Sequence, residues 1–231
     1  MRSGTVAKRS RHILVGRGGF SLVEVLVALG ISSVVAWAIL NLQINQSKSA
    51  TVQAEIVAMQ QGLRGSMTLV TRELKKAGYK GDQSAAAGIV NVNTNGNLIY
   101  YTTDSNSDGL LTGATEHAAF CFANNTLRFT EGNNNAVGTH PTHDHRDVMA
   151  DLEAVEFRYQ LADGSWTLTP ATPANIRVIE VTLLGRTRTA DPNYKNTTQY
   201  TTPAAVKWGP FNDGFRRQML TSTVKLWNMG P

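Results

Sequence analysis

The sequence predicts an α+β protein: a long N-terminal helix, membrane-spanning in its first half, packed through its second half on an antiparallel β-sheet domain. Three observations predict it. Residues Phe20–Leu42 are almost wholly apolar and carry one charge, Glu24. Val52, Ile56, Met59, Leu63, Met67, Val70, Leu74 and Ala77 recur at steps of three and four, the stripe of an amphipathic helix. From Ile89 onward short apolar runs alternate with turn-forming dipeptides, the pattern of strands.

The first element is the apolar span. As a helix, Phe20–Leu42 is about 34 Å long, enough to cross a hydrocarbon core of about 30 Å. Arg2, Lys8, Arg9, Arg11 and Arg17 precede it with no acidic residue among them. Basic residues before an apolar span hold that end in the cytoplasm, so residues after Leu42 are expected outside. A cleavable secretory signal peptide fits less well. The run is too long, no Ala-x-Ala site closes it, and the small residues Gly18 and Gly19 come before it. Glu24 lies inside the run, where a carboxylate is costly and calls for a partner.

Gly19-Phe20-Ser21-Leu22-Val23-Glu24 resembles the processing site of type IV prepilins and type II secretion pseudopilins. The resemblance implies a pilin-like fold and a leader of residues 1–19. It also implies cleavage between Gly19 and Phe20 by a prepilin peptidase, and methylation of the new Phe20 amino terminus. Glu24 matches the family's assembly glutamate. An ammonium and a carboxylate, each costly in lipid, neutralise one another between neighbouring helices. Many major pilins have a proline near the position of Asn41; this chain has none there, so no kink is expected.

The leader changes the meaning of the composition. It holds five of the chain's 22 Lys and Arg, leaving 17 basic residues against 17 acidic ones. The basic excess is a topogenic signal, and no nucleic-acid partner is expected. A single cysteine, Cys121, excludes an internal disulfide, and its setting, Phe120-Cys121-Phe122, reads as core.

After the span comes the amphipathic half of the helix, residues 43–78. No proline interrupts it; Lys75 and Lys76 suit a last turn, and Gly78 suits the C-cap. Residues 79–231 form the β-rich domain, expected in the periplasm. Gly88–Val92 and Leu98–Thr102 flank the turn Asn95-Gly96. Ala118–Ala123 and Thr126–Thr130 flank Asn124-Asn125. Glu131–Arg146 reads as a loop. Leu152–Leu161 and Trp166–Thr169 flank Ala162-Asp163-Gly164-Ser165. In Ile176–Leu184 the set Arg177, Ile179, Val181, Leu183 is apolar apart from Arg177 and is expected to face inward. Residues 186–214, with Pro192, Pro203 and Pro210, read as a long excursion, and Phe215–Leu226 as the last strand.

The second half adds to the resemblance. Leu152–Tyr159, Asp163-Gly164-Ser165-Trp166, Ile176–Leu184 and Gly214–Leu226 are similar to the body of the larger minor pilins, the PilW branch, and to pseudopilin J of type II secretion. Glu131–Arg146 and Arg186–Gly209 depart from it. The length and the missing C-terminal cysteine pair argue against a fiber-forming major pilin.

Two clusters suit metals. Asp104-Ser105-Asn106-Ser107-Asp108-Gly109 places oxygen donors at alternate positions before a glycine, as a calcium loop does. Leu110 offers a carbonyl and Leu111 an anchor to the core. Thr115 stands where a bidentate acid belongs, and Glu116 comes one place late. A polar turn is the alternative reading. His140, His143, Asp144, His145 and Asp147 suit zinc or copper, but read as a solvated loop.

No Gly-x-Ser-x-Gly, P-loop, His-Glu-x-x-His or dinucleotide fingerprint is present, so no enzyme is expected. The resemblance implies a structural subunit of the inner membrane and then of a filament. It would prime pilus assembly, sit at or near the tip, and have as partners the prepilin peptidase and other minor and major pilins. A type II secretion pseudopilin is the alternative. A tip adhesin or DNA-uptake module is another, and it requires an exposed patch among Trp166, Trp208, Trp227, Arg216 and Arg217.

Overall fold

The computed structural model describes residues 19–81, 86–93, 96–113, 115–132 and 145–230. Residues 1–18 of the leader, Asn95 of the predicted turn, and His140, His143 and Asp144 lie outside the described residues. A single α-helix, α1, runs unbroken over Leu22–Leu74. Its length follows from the absence of proline between Phe20 and Gly78. The chain divides into two compact units between Ala50 and Thr51.

In the second unit the predicted stripe is the buried face. Met59, Leu63, Met67, Val70 and Leu74 are buried, and Val52 and Ile56 are half-buried. Ser66 and Glu73 join them. Ser66 Oγ donates 2.7 Å to the Gly62 carbonyl, and Arg72 and Lys76 pair with Glu73, which makes their burial tolerable. Hydrogen bonding ends the helix at Leu74, and Lys75–Gly78 form closing turns, so both lysines fall just past the last helical turn. Gly78 has φ +75° and donates its N–H 3.0 Å to the Thr102 carbonyl. A Cβ there would lie 2.7 Å from Met229 Sδ, so both conformation and space require glycine.

Among the described residues the strands are β1 Ile89–Val92, β2 Leu98–Thr102, β3 His117–Ala123, β4 Thr126–Glu131, β5 His145–Met149, β6 Leu152–Leu161, β7 Trp166–Thr167, β8 Ile176–Arg186, β9 Tyr200–Thr201, β10 Lys207–Trp208 and β11 Arg217–Lys225. The first five form an antiparallel meander in sequence order. A second antiparallel sheet has the order β11-β8-β6-β7, and β9 and β10 form a small ribbon. Asn124 and Asn125, both at positive φ, make the β3–β4 turn, as that dipeptide predicts. Asn125 also donates its side-chain amide 2.8 Å to the Leu152 carbonyl and accepts the Leu152 N–H at 3.0 Å, tying the meander to the start of β6.

The helix stripe, Ile99, Tyr101, Phe120, Leu127 and Phe129 of the meander, and Phe157, Tyr159, Ile179, Val181 and Leu183 of the second sheet share one core. Helix and sheet approach closely at Gly185, where a Cβ would stand 3.0 Å from Leu63 Cγ.

The structure corrects four expectations. Glu131–Arg146 is not wholly a loop: Glu131 ends β4, and His145 and Arg146 begin β5. This edge strand carries little apolar pattern because it is held by cross-strand charge pairs, Arg128–Asp147 at 3.2 Å and Arg146–Glu131 at 3.5 Å. The strand expected over Trp166–Thr169 is only two residues long, and the last strand begins at Arg217. In β8, Ile179, Val181 and Leu183 face the core as predicted, but Ile176 is buried as well. An irregularity between Gln160 and Leu161 pairs Leu161 with Ile176 and shifts it into the core. Thr182 and Glu156, on the opposite face, are also buried: Thr182 bonds the Thr221 hydroxyl of β11 at 3.1 Å, and the excursion after β8 reaches Glu156. Thr202 Oγ1 donates to Glu156 Oε2 at 3.0 Å, and Arg158 Nη1 donates to the Pro203 carbonyl at 3.1 Å. That excursion holds β9 and β10, and fully buried Asn196 organises it through Tyr200 Oη and the Phe215 carbonyl, both at 3.1 Å.

Candidate functional site

The N-terminal end of α1 is built as a reciprocal cap. Ser21 is the last non-helical residue, and its Oγ accepts the Glu24 N–H at 3.2 Å. Glu24 Oε2 in turn accepts the Ser21 N–H at 2.8 Å. Two N–H groups that the helix leaves without partners are thereby satisfied. The negative carboxylate also lies at the positive end of the helix dipole. This local role of Glu24 was missed in the sequence, although the Ser-x-x-Glu spacing of residues 21–24 signals it. Gly19 and Phe20 precede the cap in exposed, non-helical chain, with Phe20 87% accessible. A peptide bond in that setting is open to a protease.

Behind the cap the first half of the helix, as far as Ala50, buries nothing within its own chain. Leu22, Leu26, Leu29, Ile31, Val34, Trp37, Leu40 and Ile44 are all exposed. An 18-residue window of this helix reaches a mean hydropathy of 2.2 with none of it buried. An apolar surface around the whole circumference requires lipid or other apolar helices around it. The first half of α1 is thus a helix long and apolar enough to cross a membrane, with an exposed Gly-Phe pair just before its start.

Arg216 and Arg217 are each paired with carboxylates. The Arg217 side chain is 1% exposed and makes bonds to Glu153 Oε2 at 2.8 Å and Asp213 Oδ1 at 2.6 Å. Arg216 pairs with Asp191 at 2.8 Å. Hydrogen bonds from Arg216 and Arg217 hold the Asp191 and Asp213 carboxyls below the usual range. Trp166 carries Arg158 over its ring at 4.8 Å, Trp208 is half-buried, and Trp227 is exposed with Lys225 over it at 4.0 Å. Of these guanidinium groups Arg217 is buried between its two carboxylates, while Arg158 and Arg216 are partly exposed and each paired with one carboxylate.

Cys121 is buried in β3, and burial pushes its thiol pKa up despite the opposing charge of Arg128. It packs in the sheet and is not a reactive nucleophile.

The loop between β2 and β3 brings together Asp104, Asp108 and Glu116. One oxygen from each lies within 4.8 Å of the other two. Asp104 and Glu116 are fully buried; Asp108 is exposed. The neck is closed by Thr103 N–H donating 2.9 Å to the Glu116 carbonyl and by a 3.1 Å bond between the Ser105 and Thr115 hydroxyls. Asn106 is turned onto Asp108: its Nδ2 donates to Asp108 Oδ2 and its Oδ1 accepts the Asp108 N–H, both at 2.9 Å. Leu110 is exposed and donates its N–H 2.8 Å to Asp108 Oδ1. The Leu111 carbonyl accepts from His117 Nε2 at 2.8 Å, and His117 Nδ1 meets the Tyr100 hydroxyl. Of the second cluster, Asp147 serves in the pair with Arg128, and the backbone of His145 lies in β5.

A long apolar helix that carries an antiparallel β domain is the architecture of the class that the comparisons return. Residues 16–40 match the prokaryotic N-terminal methylation motif. Residues 52–204, well over half of the chain, match the family model of prepilin peptidase-dependent protein B. The chain belongs to the prepilin peptidase-dependent protein B family. Among solved structures it is similar to a type IV-like pilin from Thermus thermophilus. That match has a TM-score of 0.52 at 16% identity and covers 75% of this chain and 100% of the other. At that identity the likeness speaks for the fold, one long apolar helix on antiparallel sheets. No curated protein sequence matches this chain.

Proposed function

We propose that this type IV pilin-like protein is a minor pilin of the PilW kind. Cleavage between Gly19 and Phe20 on the cytoplasmic side, followed by methylation of Phe20, releases a chain still anchored in the inner membrane by residues 20–42. The domain from residue 79 onward lies in the periplasm. The exposed apolar helix joins other minor pilins and the major pilin, primes assembly and enters the filament at or near its tip.

The observation that carries this reading is the pairing of the exposed Gly19-Phe20 bond with a helix whose first half buries nothing in its own chain. Glu24 has a role in both states. Before cleavage it caps the helix through Ser21. After cleavage it meets a new ammonium, that of Phe20, on a neighbouring helix and sets the stagger between subunits.

The test is deletion of the gene with filament counts by electron microscopy, then restoration with the natural chain or with Glu24→Val. Filaments are expected to fall sharply on deletion and to return with the natural chain but not with Glu24→Val, which still anchors. Unchanged filament numbers, with a secretion defect instead, would move the chain to a pseudopilus.

A further inference from the structure

We propose that Asp104, Asp108 and Glu116 form a calcium site that joins the start of the β2–β3 loop to its end. Three carboxylates share a space small enough for one ion. Calcium binds oxygens at roughly 2.3–2.6 Å, so ligand oxygens on one ion stand up to about 5 Å apart. Those of Asp104, Asp108 and Glu116 lie within 4.8 Å of one another.

Glu116 supplies the independent evidence. Its side chain has no solvent exposure, and Oε1 has no hydrogen-bond partner among the described residues. The other oxygen, Oε2, is held at 2.6 Å by the Gly113 N–H. The chain wraps this carboxylate closely: a Cβ on Gly113 would stand 2.9 Å from Glu116 Cδ. A buried carboxylate fixed from one side and unsatisfied on the other, beside two more carboxylates, is costly without a cation. Among the described residues neither Asp108 nor Glu116 has a Lys or Arg ion-pair partner. Arg217, also buried, shows the contrast, with carboxylates on both sides.

The donor set selects the ion. All three ligands are carboxylates, which suits a hard cation rather than zinc or copper. An irregular loop, with Ser107 and Gly109 at positive φ, suits the adaptable coordination of calcium better than the strict octahedron of magnesium. Glu116 fills the role that the sequence left open at Thr115. The site also touches the helix exit, because the Asp104 N–H donates 2.8 Å to the Tyr79 carbonyl. A bound ion therefore braces the meander against the segment leaving α1.

The test is calorimetric titration of the full chain in detergent with CaCl2, together with thermal melting in CaCl2 or chelator. One ion per chain and a melting point raised by about 5 °C are expected. Glu116→Gln should abolish binding. Asp108→Asn, at an exposed position where the amide oxygen can still accept the Leu110 N–H, should weaken it about tenfold. No heat and no melting shift at roughly 10 mM CaCl2, well above the usual affinities of extracellular sites, would overturn the proposal. So would binding by Asp108→Asn and Glu116→Gln equal to that of the natural chain.

Discussion

The two halves of α1 share one backbone geometry and have opposite surroundings. From Leu22 to Ala50 every residue is exposed, including a long series of large apolar side chains. From Met59 to Leu74 one stripe is buried and the remainder is mostly polar, Leu69 being half-buried. An apolar face that turns with the helix calls for a sheet, and an apolar surface all the way round calls for lipid or like helices. The first half is thus left for assembly, and the second half fixes the domain that assembly displays.

Substitutions in the two halves should therefore part company. Leu63→Ala removes a fully buried side chain at the helix–sheet contact and should cost about 3 kcal/mol of domain stability, read by chemical denaturation in detergent. Leu29→Ala, in the exposed half, should leave that stability unchanged and lower co-purification with partner helices. Equal destabilisation by both would break the contrast.

Gly185→Val attacks the same contact from the sheet side. Leu63 Cγ stands 3.0 Å from where its Cβ would lie, so overpacking should cost about 2 kcal/mol. The double variant Leu63→Ala with Gly185→Val should recover part of that loss, since the space is shared.

A smaller effect concerns Glu156, buried under the excursion. Burial raises its pKa; the Thr202 hydroxyl and Arg158 pull it back, and Glu180 pushes it further up. A carboxyl whose folded pKa exceeds its unfolded value favours the fold when protonated. That contribution is complete below the unfolded pKa and is lost as pH rises through the folded one. Glu156→Gln keeps an acceptor for Thr202 and removes the charge. It should stabilise the domain at pH 7 by no more than about 1 kcal/mol, with the gain shrinking toward pH 4.

The helix, its stripe and the strand pairs were legible because each rests on a local period or a turn residue, as at Asn124-Asn125. What sequence reading missed depends on contacts distant in the chain. β5 is an edge strand held by Arg128–Asp147 and Arg146–Glu131, and it shows no alternation of apolar residues. Burial of Glu156 goes with a bond from Thr202, and that of Thr182 with a bond to Thr221, both far along the chain. At the N-terminus the Gly19-Phe20 pair and Glu24 were legible as a motif, but the hydrogen bonds between Ser21 and Glu24 were not drawn from it. In the β2–β3 loop Asp104, Asp108 and Glu116 were legible as candidate ligands, and the structure brings them together, but it turns Asn106 onto Asp108 and leaves Leu110 exposed with its N–H on Asp108.

The most direct test of the account is the mass of the N-terminal peptide of the protein isolated from membranes, with and without a prepilin peptidase. The account predicts a peptide that begins at methylated Phe20 when the peptidase is present and at Met1 when it is absent. An unprocessed Met1 terminus in the presence of the peptidase would contradict it, and would leave the chain a signal-anchored protein with no route into a filament.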